Sequence, residues 1–191
     1  MRSRVARVMG SCVAGAFAVV LVWQSAGLAN AAEGQEVTVH SGKVDITHGV
    51  GTEPIDQVDI VMTFTNTETA DGSVCEGPSD SPVTQGVIVT LQQGSCGSGV
   101  AGAQVTIPHF TPRPKAKALA KFEGTTVEGA RVDALLRTLG TPAGTCGMWN
   151  LKLDAVPLDL SSITTNPVAL SITLADGSYG CVTVSKARID R

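Results

Sequence analysis

Arg113, Lys115, Lys117 and Lys121 fall at even spacing. On an extended strand that spacing puts four cations on one face, with Ala116, Ala118, Ala120 and Phe122 on the other. The chemistry this could do is anion binding: a ladder of positive charge along a polyanionic polymer. The plain counterpart is a solvated strand face, or an edge that lysines guard against aggregation. Acidic residues of the N-terminal half are a further set of partners for it.

The cysteines offer a second kind of chemistry. Cys75, Cys96, Cys146 and Cys181 form an even set, while Cys12 lies far upstream near the N-terminus. No Cys-x-x-Cys pair occurs, and no cysteine stands at metal-ligand spacing from a histidine. The four therefore predict two disulfides, with Cys75–Cys96 and Cys146–Cys181 the preferred pairing because each pair flanks neighbouring predicted strands. A loop of about 20 residues closed in this way is worth about 3 kcal/mol in the chain-entropy picture.

Other constellations are thinner. His40, His48 and His109 could join Asp45, Asp56 or Asp59 at a metal, but none has His-x-His spacing, and surface or turn roles explain them. Glu68, Asp71, Glu76 and Asp80 make an acidic loop without the ligand density of a calcium site. Gly94–Gly99 is Gly-rich but lacks the lysine and following helix of a phosphate loop. Neither Gly-x-Ser-x-Gly nor His-Glu-x-x-His occurs. Of the aromatic residues, Phe64, Phe122 and Trp149 fit inward strand positions. Phe110 and Tyr179 fall in a bend and a turn, free for sugar stacking. No cofactor is implied.

These residues acquire a compartment from the N-terminus. Arg2, Arg4 and Arg7 precede the apolar run Val13–Trp23, and Ala29-Asn30-Ala31 supplies a small-x-small cleavage pattern. The run is shorter than the roughly 20 residues a membrane span needs. Residues 1–31 are thus expected to be a cleaved signal peptide and 32–191 one secreted domain of a bacterial protein, periplasmic or exterior. Losing the leader's three arginines leaves eleven basic residues against seventeen acidic ones and a net charge of −6. Residues 32–100 carry ten acids and Lys43 alone, whereas 101–191 carry ten bases and seven acids. The two halves are expected to attract each other within the domain. The net sign disfavours nucleic acid and anionic membranes as partners.

The elements that must position these groups are strands. Alternation of period two runs through 57–65, 86–92, 103–107, 148–155 and 168–175, with further strands at 36–46 and 181–187. One polar face per strand suits antiparallel sheets covered on one side, and the expected architecture is a β-sandwich of about eight strands. Only 125–139 is ambiguous. Val132, Leu135, Leu136 and Leu139 have helical spacing, and Thr125 with Glu128 resembles a capping box. Yet Val132, Ala134 and Leu136 alternate, and the flanking Gly124 and Gly129 weaken a helix, so a strand pairing with 148–155 is preferred. The functional expectation is a non-enzymatic structural or binding module acting on an extracellular polymer or protein. The alternatives are a polysaccharide- or anionic-ligand-binding module using the 113–121 basic face, and an enzyme with a dispersed site.

Overall fold

The computed structural model describes residues 37–50, 55–66, 81–116, 119–139 and 147–190. The signal segment 1–31, Cys75, Cys146, Lys117 and the acidic loop residues Glu68, Asp71, Glu76 and Asp80 lie outside them. The chain forms β1 (Val37–Thr47), β2 (Asp56–Asn66), α1 (Pro82–Gln85), β3 (Val87–Gln93), β4 (Val100–Ile107), β5 (Thr111–Pro112) and β6 (Leu119–Thr125), then β7 (Arg131–Leu139), β8 (Gly147–Leu158), β9 (Val168–Thr173), β10 (Tyr179–Val184) and β11 (Arg188–Asp190). The single helical turn α1 is capped by Ser81, whose hydroxyl accepts the Val83 N–H at 3.2 Å.

Two sheets result. One has seven strands in the order β11-β1-β2-β8-β7-β6-β5, the other four in the order β10-β9-β3-β4. All pairings are antiparallel except β1 with β11. Alternation explains why: Val58, Ile60, Met62 and Phe64 on β2 turn inward together, as do Trp149, Leu151, Leu153 and Ala155 on β8. From the smaller sheet, Val87, Val89 and Leu91 on β3 and Val168, Leu170 and Ile172 on β9 join the same buried cluster. One core therefore serves both sheets.

The segment 131–139 is a strand. It pairs with β8 from Arg131↔Val156 to Leu139↔Met148 and with β6 on its other side. Thr125 and Glu128 belong to the β6–β7 hairpin rather than to a helix cap. Thr126 accepts the Gly129 N–H and donates to Ala130, and Gly129 takes a positive φ of 87° that favours glycine. On β1 the register shifts between Val39 and Ser41, so the inward side chains change phase from Val37 and Val39 to Val44 and Ile46. Beyond the shift the start of β1 runs beside β10. There a Cβ on Gly180 would meet the Val37 carbonyl oxygen at 2.3 Å, so only glycine permits the approach.

The disulfide pairing differs from expectation. Cys96 is bonded to Cys181, 85 residues away, so neither Cys75–Cys96 nor Cys146–Cys181 forms. Proximity in sequence suggested the other pairs, but the sheet order decides. Because β9 lies between β3 and β10, the turn after β3 folds back across β9, and the Cys96 N–H donates to Thr183 Oγ1 on β10 at 3.1 Å. The bridge spans a strand whose outward residues, Ala169 and Ser171, are small and buried.

A cleft and a carboxylate row as candidate functional sites

The basic ladder is not a strand face. β5 and β6 form a hairpin with Thr111 opposite Lys121, and the chain reverses between them through Arg113 N–H to Leu119 and Ala116 N–H to Arg113 hydrogen bonds. Pro112 and Pro114 explain the break, since neither can donate to a ladder. Arg113 and Lys115 are exposed in the turn. Lys121 stands on β6, where its Nζ lies 2.9 Å from both Glu123 and Asp133. Those two hydrogen bonds raise its pKa and commit its charge within the sheet.

The three histidines stay apart. His40 hydrogen-bonds the Thr65 hydroxyl, and His109 packs edge-on against Phe122 at 6.4 Å. His48 is largely buried, with Nδ1 3.3 Å from Asp56 Oδ2 and Nε2 3.0 Å from the Ile163 carbonyl oxygen. Among the described residues no three His, Cys, Asp or Glu side chains have metal-holding geometry. Phe110 is buried rather than free: its N–H binds the Val83 carbonyl at 2.8 Å and its ring enters the core where the chain passes between sheets. Phe64 and Trp149 are buried and Phe122 packs on the core, as their alternation predicts.

The outer face of the larger sheet carries a feature no local pattern reveals. Register places Asp45, Asp59, Asp154, Asp133 and Glu123 side by side across β1, β2, β8, β7 and β6. Neighbouring strands lie about 4.8 Å apart, so these are like charges at contact range. Lys43 pairs with Asp45 and Lys121 with the other end, leaving Asp59 and Asp154 in the middle. Gln57 donates to Asp154 at 2.8 Å. Partial burial, then a hydrogen bond and charge from Asp154, push the Asp59 carboxyl above the usual range; Lys43 opposes this only in part.

A cleft of about 520 Å³ opens where the free edge of β4 meets the β6–β7 turn and the segment after β8. Gly102–Gln104 line one side, Glu128 another, and Pro157, Leu158, Asp159, Ser161 and Ser162 the third. Its walls are fixed. Glu128 accepts from the Thr106 hydroxyl at 2.5 Å and from the Thr106 N–H at 3.3 Å, closing part of the β4 edge. Partial burial alone would raise the Glu128 carboxyl; the Thr106 hydroxyl and backbone donors outweigh it and hold the group below its ordinary range. Asp159 accepts the Ser161 hydroxyl at 2.6 Å and N–H at 3.1 Å, and these bonds lower its pKa as well.

The third wall is nailed from behind. Asp56 accepts the Leu160 N–H, His48 reaches Ile163, and the Gln93 side chain brackets Thr164, Thr165 and Pro167 with four hydrogen bonds. None of the cleft residues stands in a sequence motif. Glu128 was visible only as a capping-box partner, and Asp159 only as one polar residue in a Pro- and Ser-containing loop. Comparison with protein-family models, curated proteins and solved structures found no match.

Proposed function

We infer that this chain is an exported, non-enzymatic binding module of the bacterial periplasm or cell exterior, and that the cleft beside β4 is its recognition site. The observation that carries the reading is the cleft's construction. Its volume lies within the range of small-ligand sites, and its walls are held by bonds from both sheets, Glu128 from Thr106 and the segment after β8 from Asp56 and Gln93. The Cys96–Cys181 bond is chemistry of an oxidising compartment and supports export, with residues 1–31 as the cleaved leader. The single core shared by two sheets supports a β-sandwich for residues 32–191. With Cys96 and Cys181 bonded, the even cysteine count leaves Cys75 and Cys146 as the second pair.

Three measurements test this. Protein secreted with its own leader should begin at Ala32, and non-reducing peptide maps should join Cys75 to Cys146; failure to leave the cell refutes export, a retained leader refutes cleavage, and free thiols at those positions refute the second bridge. A fragment screen read by amide chemical shifts should cluster on Gly102–Gln104, Glu128 and Leu158–Ser162. Shifts scattered over the surface would remove the cleft as the site. The anionic-polymer alternative now rests on Arg113, Lys115 and Lys117, because the Lys121 charge is paired with Glu123 and Asp133. It requires binding that weakens with salt and is lost in Lys115→Glu.

A further inference from the structure

We propose that the cleft beside β4 takes a small organic cation, an amine or guanidinium with a short aliphatic body. The assignment rests on the cleft being the recognition site. Among the described residues its ionisable lining groups are the carboxylates Glu128 and Asp159, with no Lys, Arg or His beside them. Both carboxyls are held below their ordinary pKa range, so both are anionic at neutral and mildly acidic pH.

The two acids differ in what they have left to offer. Glu128 spends its oxygens on Thr106 and Gln104 at the β4 edge. It contributes a fixed negative potential more than a free acceptor. Asp159 is exposed, and its Oδ1 takes both Ser161 donors. Its second oxygen is the acceptor available to an N–H group. Ser161 and Ser162 add hydroxyls that can orient a second donor. Pro157, Leu158 and Ala103 supply apolar wall, which fits a methylene chain between or beside the charged groups. Among the described residues an anion would meet two carboxylates and no counter-charge. A neutral polyol would gain the hydroxyl contacts but not the Coulombic term that concentrates a cation in a concave, negatively charged site.

Three four-carbon probes separate these chemistries at matched length: putrescine, 1,4-butanediol and succinate. Each is titrated into the purified, oxidised protein at low ionic strength while the amides of Gly102–Gln104, Glu128 and Leu158–Ser162 are followed. Putrescine should shift these amides saturably, and butanediol and succinate should not at the same concentrations. Asp159→Asn, which keeps the shape, should weaken putrescine about tenfold, the scale of one lost hydrogen bond to a charged partner. Asp59→Asn, on the far face of the larger sheet, should leave the affinity unchanged. Butanediol or succinate binding in the cleft as well as putrescine overturns the cationic class and spares the binding module. No probe perturbing the cleft overturns the cationic class, and the binding module then stands or falls with the fragment screen. Putrescine affinity that survives Asp159→Asn but falls in Asp59→Asn assigns the cation to the carboxylate row and overturns the proposal.

Discussion

At the scale of single residues, the most consequential pair is Asp59 with Asp154. Each is an ordinary outward position on an alternating strand, and the alternation of 57–65 and 148–155 makes both legible as surface residues. Their adjacency is not legible, because it depends on β2 pairing with β8 across about 90 intervening residues. The consequence is a pH dependence of unusual sign. Asp59 has a folded pKa above the unfolded value near 3.8, so folding takes up protons there. Its destabilising effect is complete above the folded pKa and is relieved as pH falls through that value toward the ordinary aspartate range. Glu128 and Asp159, with lowered pKa values, lose their contribution only at and below the ordinary carboxylate range. Denaturant midpoints should therefore rise as pH falls through the raised Asp59 pKa, before acid unfolding begins. Asp59→Asn should add up to about 1 kcal/mol at neutral pH and flatten that rise; a wild-type midpoint that falls throughout would exclude the mechanism. A buried counterpart is Asn66, whose Oδ1 accepts the Trp149 indole N–H at 2.8 Å inside the core. Asn66→Ala strands that donor and should cost about 1–3 kcal/mol in chemical denaturation, with the indole fluorescence shifting in the folded state. An unchanged midpoint would mean that water replaces the amide.

At the scale of elements, period-two alternation found the strands because one face of each is buried and the other is wet. The ends of β1, β2 and β8 lie within a few residues of where the pattern stops. What alternation cannot encode is which strand lies beside which. The Cys96–Cys181 bond shows the cost of that: nearest-neighbour logic favoured Cys75 for Cys96, whereas the sheet order brings the β3–β4 turn over β9 to β10. The basic segment failed for a different reason. Even spacing implies one face only while the chain stays extended, and Pro112 and Pro114 turn it into a hairpin. The disulfide's reach gives it weight. Closing 85 residues restricts the unfolded chain by about 4–5 kcal/mol in the entropic account, more than the 20-residue loop expected from sequence. Cys96→Ser with Cys181→Ser should lower stability by about 2–5 kcal/mol. Hydrogen exchange should accelerate first in β10 and the turn after β3, which the disulfide and the Cys96 N–H to Thr183 hydrogen bond join across β9. Exchange rising equally in β7 and β8 would show that the bridge holds the whole fold rather than this corner.

At the scale of the molecule, the uneven charge distribution suggested an acidic half attracting a basic one. The topology does this in part, at Asp45 and Arg188. β2 from the acidic half is seated against β8 from the basic half, and the residues brought opposite one another are Asp59 and Asp154. Lysines from each half satisfy acids of their own half, Lys43 with Asp45 and Lys121 with Glu123 and Asp133. Folding thus gathers carboxylates from both halves into one row, and sets Arg188 of the basic half beside Asp45 at its β1 end. Such a row is held by the core beneath it, by Val58, Ile60, Leu153 and Ala155 on the inward positions that flank it, and it opposes the fold electrostatically. Screening should relieve that opposition. Raising salt from about 20 mM to about 300 mM shortens the Debye length from roughly 20 Å to below 6 Å. Near neutral pH this should raise the melting midpoint by about 1–3 °C, the thermal equivalent of one weakened like-charge contact in a domain of this size. The increment should shrink in Asp59→Asn and at acid pH, as Asp59 takes up its proton. If instead salt lowers the midpoint, the lysine pairs at the two ends outweigh the central repulsion, and the row is a balanced ion-pair lattice rather than a strained one.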